Sequence, residues 1–436
     1  MCRRNRPKAT LVTIDDQRPR QGVPRATAPT SAASSGDAEF ATERALDLDL
    51  LGPPRNDGHG ARERNRRSIL RAVASQAATT RADLARFTGL TPPSVSQIVQ
   101  SLVEDEFLLE LGPRPSASIG KPPTVLAVAA DRHAVIAIDT SDAQPRGWLL
   151  DLDGTVREER TTTEKVRGAA AVDTVVSLAR ALAASSRVPV VGVGVGTPGT
   201  VDVDGTVVLA ANLGWERVAL QARLAAELGL PVRVANDADA AVLAELPALA
   251  PDRRSLALIR IGEGVGVGLV LAGRLYTGQY AAAGEIGHVV HDPHGPPCSC
   301  GKHGCLETFV GLRAIGANLG TDHPGPGGLD ELLAADPAVL PAVERAAEVL
   351  AGVVVQTVAL LDVRDIVVST SLSGLAEHLA AAMDPLVRGR LLASQQQGLQ
   401  LRPPTGRDGD LVIEGAHALV LADMLGIARP VAQVSA

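Results

Sequence analysis

Three of the four cysteines fall within eight residues, Cys298-Ser-Cys300-Gly-Lys-His-Gly-Cys305. Thiolates crowd in this way when they converge on one tetrahedral cation, and Gly301 and Gly304 permit the tight backbone wrap. A histidine upstream completes the set. His288 is the first choice, with His291, His294 and His303 as competitors. A closed Cys3His site has no open position for activated water, so the expected ion is a structural zinc. In a cytoplasmic chain, clustered thiols read as metal ligands rather than disulfide partners.

A second group is carboxylic. Asn236-Asp237-Ala238-Asp239 follows the apolar strand at Val232 to Val234. A carboxylate at the C-terminal edge of a sheet can accept a proton from a sugar hydroxyl. Asn and Asp before an Ala-rich helix are also common N-caps. Glu285 and His288 in Gly-Glu-Ile-Gly-His, with Glu307, add polar groups near the cysteines, as a pocket for hydroxyls needs.

These residues require a frame. From His133 onward apolar strands alternate with helical stretches, which predicts an α/β fold with two lobes. Strands are expected at Ala134 to Ile138, Gly147 to Asp151 and Val188 to Val195. Leu256 to Ile261 and Val265 to Leu271 flank Gly-Glu-Gly as a hairpin. Ala170 to Ala184 is an amphipathic helix, and the two lobes are candidates for distant copies of one another.

Residues 61–130 have a different pattern. Asn65 to Ala74 carries Ile69, Leu70 and Val73 at helical spacing. Thr80 and Asp83 suit a capping box for a short helix ending at Gly89. Thr91 caps a third helix with Pro92 in its first turn. Val95, Ile98, Val99 and Leu102 make its apolar face, and Pro93, Ser94, Ser96, Gln97 and Gln100 its polar one. Two strands follow, at 107–109 and 124–128, around a turn-rich tip with Arg114 and Lys121. This is the order of a winged helix-turn-helix. Gln97 or Gln100 can pair with adenine in the major groove. Thr91, Arg66, Arg67, Arg71 and Lys121 are further expected DNA contacts.

The chain has 436 residues, 45% hydrophobic and 21% charged, enough for two or three domains. Its net charge of −7 hides a basic segment: residues 61–100 hold seven arginines against Glu63 and Asp83. One local polyanion contact on an acidic body is the expected consequence. Aromatic residues are 2% of the chain, which argues against base-stacking platforms for single strands. No run approaches the roughly 18 apolar residues of a membrane span. The N-terminus has basic residues with no apolar run after them, unlike a secretory signal. Residues 1–60, rich in Arg, Pro, Ser and Ala, read as a disordered tail.

The chain resembles the ROK family of bacterial sugar kinases and sugar-responsive repressors. GEIGHVVHDPHGPPCSCGKHGCLET, VGVGVGTPGTVD, ANLGW and NDADAAVLAE carry the resemblance over about Asn65 to Ala422. It implies a two-lobed actin/hexokinase-like sugar-kinase fold in residues 131–436, preceded by an α+β winged helix-turn-helix domain in 61–130. The latter is similar to the repressor branch. By resemblance, Asn236, Asp237, Glu285, His288 and Glu307 contact a sugar, and Asp237 stands at the base that deprotonates the attacked hydroxyl. His288, Cys298, Cys300 and Cys305 stand at the zinc ligands.

The departures lie in the ATP half. The family's D-x-G-G-T phosphate loop is Asp139-Thr140-Ser141-Asp142-Ala143 here, without glycine. The expected G-T-G is Gly262-Glu263-Gly264, and the adenosine segment is Ser369-Thr370-Ser371. Phosphoryl transfer depends on positioned phosphates and metal. The expectation is therefore no ATP and no kinase activity, with Asp237 vestigial as a base. Expected instead is a cytoplasmic homodimer or homotetramer that binds double-stranded operator DNA and a sugar effector, away from membranes.

Overall fold

The structure is a computed structural model that describes residues 60–113, 122–141, 144–163, 167–249, 253–317, 339–372, 374–406 and 410–427. The expected disordered tail, save Gly60, lies outside the described residues, as do Arg114, Lys121, Asp142 and Ala143.

The first three helices are α1 (Ala61–Ala74), α2 (Arg81–Thr88) and α3 (Pro92–Glu104). Thr80 Oγ1 accepts from Asp83 N at 3.2 Å to cap α2, and Gly89, at φ +69°, ends it. Thr91 caps α3, with Pro92 where its missing N–H removes no bond. Val95, Ile98, Val99 and Leu102 are its buried residues, as their spacing predicts. Strands β1 (Leu108–Pro113) and β2 (Thr124–Val128) pair antiparallel as the wing.

The first lobe contains β3 (Ala134–Asp139), β4 (Arg146–Asp151), β5 (Val156–Thr161), α4 (Gly168–Ser185) and β6 (Val190–Thr197). A side sheet of β7 (Thr200–Val201), β8 (Val207–Ala210) and β9 (Trp215–Val218) follows, then α5 (Leu220–Leu228), β10 (Val232–Asn236) and α6 (Asp237–Ala244). The second lobe contains β11 (Leu256–Ile261), β12 (Val265–Leu271), β13 (Arg274–Leu275), α7 (Glu307–Val310), α8 (Leu312–Ala317) and α9 (Val339–Leu361). It closes with β14 (Asp365–Thr370), α10 (Leu375–Arg388), α11 (Ala393–Gln396), β15 (Gln400–Arg402) and α12 (Leu411–Val420).

The two large sheets run β5-β4-β3-β6-β10 and β13-β12-β11-β14-β15. In each, the first strand is central, two strands follow on one side through successive antiparallel pairings, and two lie on the other side through parallel pairings. The lobes thus repeat one connectivity, although no short sequence period announces it.

The core is layered. Helices α4 and α5 cover the outer face of the first sheet, and α9 and α10 that of the second. Between the sheets lie α6 and α12. Helix α4 meets the bare length and hydropathy of a membrane span, contrary to expectation from sequence. Its Ala171, Val175, Leu178, Ala179 and Leu182 instead bury against the first sheet, while Asp173 and Arg180 are exposed.

The winged-helix core is not separate from the first lobe. Ile69, Leu70, Val73 and Leu102 share one apolar cluster with Val135, Leu152, Val420, Leu421, Leu425 and Ile427. Phe107 stacks on the buried His133 at 3.9 Å, and Ala129 N donates to Phe107 O at 3.0 Å.

Contact between α12 and its neighbours is backbone against backbone. A Cβ on Gly415 would lie 1.7 Å from Ala240 O, and one on Gly194 would lie 2.1 Å from Ala416 O. Gly415→Ala should therefore lower stability by about 1–3 kcal/mol or more through overpacking. Gly352→Ala, inside α9 with nothing within 4 Å, should be neutral or stabilising by about 0.5–1 kcal/mol. Thermal or urea melts of the two variants provide the check.

Candidate functional site

Strand β10 delivers Asn236 and Asp237 to the start of α6, between the lobes. The Asn236 side chain caps that helix, accepting from Ala238 N at 2.9 Å and Asp239 N at 3.2 Å. Its amide donates to Gly199 O at 2.9 Å and so fixes the Thr-Pro-Gly turn. Both functions of this side chain are occupied by backbone, which is the capping role that its type and position also suggested.

Asp237 Oδ1 accepts from Ala238 N at 3.0 Å, and Oδ2 accepts from Arg260 Nε at 3.0 Å. The far end of α6 is clamped as well. Fully buried Glu245 accepts from Arg402 at 2.6 Å and from Thr405 N at 2.7 Å. Sequence reasoning missed Arg260 and Glu245. The signal for Arg260 was a lone charge in the apolar strand Leu256 to Ile261.

Asp239, quoted in the motif but given no role, is buried beside this group. Burial, then the charges of Asp237 and Glu285, push its carboxyl up to about 8. Glu285 is also held above the usual carboxylate range, chiefly by burial, with His288 opposing and Asp237 and Glu307 adding to it. Asp237, Asp239, Glu285, Glu307 and His288 therefore form one electrostatically linked cluster, with Arg260 at its Asp237 end.

His288, Cys298, Cys300 and Cys305 converge, their ligand atoms all within 4.8 Å of one another. Cys298 Sγ lies 3.5 Å from His288 Nδ1, and Cys300 Sγ lies 3.6 Å from Cys305 Sγ. Gly301 and Gly304 adopt φ of +86° and +65° in the wrap. Of the competing histidines, His291 instead packs its ring edge-on to Phe309 at 5.1 Å. Glu307 Oε1 accepts from Cys298 Sγ at 2.9 Å, so this carboxylate links the ligand set to the polar cluster. The donor set could hold a metal ion, and three soft sulfurs with one imidazole suit zinc.

In the first phosphate-loop segment, Asp139 is buried and paired with Arg146 at 3.0 Å. Arg146 also reaches Asp410, before α12, at 3.2 Å. In the second, Glu263 lies 3.7 Å from Arg313. Ser369 and Thr370 are buried in β14, and Ser371 is exposed.

On α3, Thr91, Pro93, Ser96, Gln97 and Gln100 are exposed and Ser94 half-buried. Gln100 donates to Glu104 at 3.0 Å. Arg66 is engaged within the module, on Ser101 at 2.9 Å and Asp105 at 2.6 Å, with its guanidinium over Phe107. Arg67 Nε lies 3.5 Å from Glu63.

The ROK family profile matches residues 135–422, and a winged helix-turn-helix DNA-binding profile matches residues 62–108. The chain belongs to the ROK family. Among ROK relatives, the xylose repressor of Bacillus subtilis is 27% identical over 263 residues, 59% of this chain and 68% of that protein. The glucokinase of Halalkalibacterium halodurans is 41% identical over a shorter 140 residues, 31% of this chain and 42% of the enzyme. In fold, a ROK family transcriptional regulator, homologous to the E. coli MLC protein, superposes with a TM-score of 0.70. That superposition covers 84% of this chain and 97% of the other at 22% identity. The ROK family thus includes both repressors and kinases, and its two-lobed fold with an N-terminal winged helix is the fold of this chain.

A carboxyl raised from 3.8 to about 8 is protonated in the folded chain and ionised in the unfolded one between those values. Folding is penalised increasingly as pH rises through that window, constantly above it and not below it. Asp239→Asn should therefore raise the melting temperature increasingly from about pH 5 to about pH 8. The full shift corresponds to a ceiling of about 6 kcal/mol. Melts across that range would refute the assignment if the increment stayed flat or fell.

Proposed function

We propose that the chain is a transcriptional repressor that binds operator DNA through its winged helix and a sugar between its lobes. The observation that carries this reading is one continuous apolar core. It joins the winged helix to the end of α12, the helix packed against α6 beneath the proposed pocket. A xylose repressor and a glucokinase among the relatives both point to a sugar as the ligand class.

Residues 61–130 form the DNA-binding domain in this reading, and residues 131–436 the sugar-binding one. Thr91, Pro93, Ser94, Ser96, Gln97 and Gln100 present the reading face. Arg67, Arg71 and Lys121 approach phosphates, while Arg66 supports the fold. The sugar hydroxyls meet Asp237, Glu285, His288 and Glu307, with Asn236 shaping the turn beside them. Zinc held by His288, Cys298, Cys300 and Cys305 would lock the 285–307 segment and supply no reaction step. The protein works as a cytoplasmic homodimer or homotetramer, since two-fold symmetry matches a near-palindromic operator.

The chain does not act as a kinase. Ion-paired Asp139 and the acidic Glu263 disfavour ATP phosphates, and Arg260 engages the residue at the position of the base. The discriminating assay is ATP consumption with hexoses, pentoses and amino sugars. Sugar-dependent turnover near or above about 1 per second, typical of kinases, would replace this reading with that of an active enzyme.

Gln97→Ala should lose about 1–3 kcal/mol of discrimination between operator and random DNA. Gel-shift titration on both would sink the base-reading role if the losses were equal. Cys300→Ser should leave an incomplete tetrahedron, lose the metal and lower the melting temperature. Elemental analysis should find about one zinc per wild-type chain. Metal-free wild type with unchanged stability would remove the structural zinc.

A further inference from the structure

A cavity of about 330 Å³ opens where β4, the last turn of α6 and α12 meet. Small-molecule sites occupy about 300–1,000 Å³. The cavity lies at the opposite end of α6 from Asp237, and at the opposite end of β4 from the Asp139–Arg146 pair. It therefore belongs neither to the polar cluster nor to the phosphate-loop segments.

Trp148, Leu150 and Leu243 supply apolar walls, and Asp153, Glu414 and His417 the polar ones. Asp153 is fixed in the turn after β4, where its Oδ1 accepts from Thr155 N at 2.9 Å. Glu414 and His417 stand three residues apart on α12 and so share a face. His417 is buried, and its Nε2 donates to Asp151 O at 2.8 Å. Burial pushes its imidazole down to about 4, so at neutral pH the other ring nitrogen is a lone-pair acceptor. The polar lining is thus two carboxyl side chains and an imidazole acceptor, set beside an indole. Carboxylates bind cationic donors strongly, and an aromatic face favours a cation as well. Carboxylates repel an anion.

The walls of this cavity continue into the winged helix. Leu152, next to Asp151, and Val420 and Leu421, one turn beyond His417, share an apolar cluster with Ile69, Leu70 and Val73 of α1. The His417–Asp151 hydrogen bond ties these two walls to each other. A molecule in the cavity rests on both segments that seat the winged helix.

We propose that this cavity is a second ligand site, for a small organic ammonium ion with an apolar body, and that its occupant braces the joint between the first lobe and the winged helix. The proposal does not depend on the interlobe site being a sugar site.

The test uses the full-length chain and calorimetric titration with three probes of one shape: 2-phenylethylammonium, 2-phenylethanol and phenylacetate. The ammonium should bind one per chain, about tenfold or more tighter than the alcohol, the scale of one charge-assisted hydrogen bond, and the carboxylate weakest. Glu414→Gln should bring the ammonium about tenfold down, toward the alcohol. Asp153→Asn, in the turn, makes the same comparison if Glu414→Gln does not fold. Ala244→Leu, which adds bulk to the cavity lining, should weaken the ammonium and the alcohol together. Amide exchange in α1 should slow when the ammonium saturates the chain. Equal affinity for ammonium and alcohol, or an unchanged preference in both charge variants, would overturn the cation assignment. An absence of saturable ammonium binding below about 10 mM would remove the site. Unchanged exchange in α1 at saturation would remove the bracing role. Because neither sugar nor DNA is present, each of these failures leaves the repressor reading standing.

Discussion

Helix α12 and helix α6 cross so closely that a methyl group at Gly415 would overlap the carbonyl of Ala240. On its other side, α12 rests on β6 with the same intimacy, through Gly194. Dense interiors do not deform continuously, so this sandwich of sheet, helix pair and sheet has few arrangements available. The start of α6 places Asn236 and Asp237 at the lobe interface. The end of α12 continues into the turn that packs against α1. Both the Asp237 cluster and the winged helix take their positions from this crossing.

Charge reinforces the same element. Helix α6 is tied to the second lobe at its start by Asp237 and Arg260, and at its end by Glu245 and Arg402. Buried ion pairs contribute little net stability, because desolvation offsets their attraction, but they penalise arrangements that separate the partners. Their effect here is to specify one seating of α6. Burial first, then the charges of Asp237 and Glu285, push the Asp239 carboxyl up to about 8.

The Cys/His set that could hold a metal and the polar cluster share residues rather than merely adjoining. His288 belongs to both, and Glu307 touches Cys298. In the proposed repressor, a ligand in the pocket would act on the winged helix only through its differential affinity for two arrangements of the lobes. Helix α12 takes part in two apolar clusters, one shared with α6 and one with α1, and is a physical route for that difference.

Much of this was legible in the sequence because it is local. Cysteine spacing marked three members of the Cys/His cluster, and left His288 as the first choice among four histidines. The caps at Thr80 and Thr91 and the apolar face of α3 follow from helical periodicity and side-chain chemistry within a few residues. Alternating strands and helices announced an α/β body. The tertiary structure decided what depends on residues far apart in the chain. Arg260 was visible only as an odd charge until β11 brought it to Asp237. Arg66, one of seven arginines in a basic stretch, is drawn inward by Ser101, Asp105 and Phe107. Asn236 satisfies backbone donors with its carbonyl oxygen and a distant turn with its amide. Sequence determines which groups a segment carries. Packing determines which partners remain within reach once water is excluded.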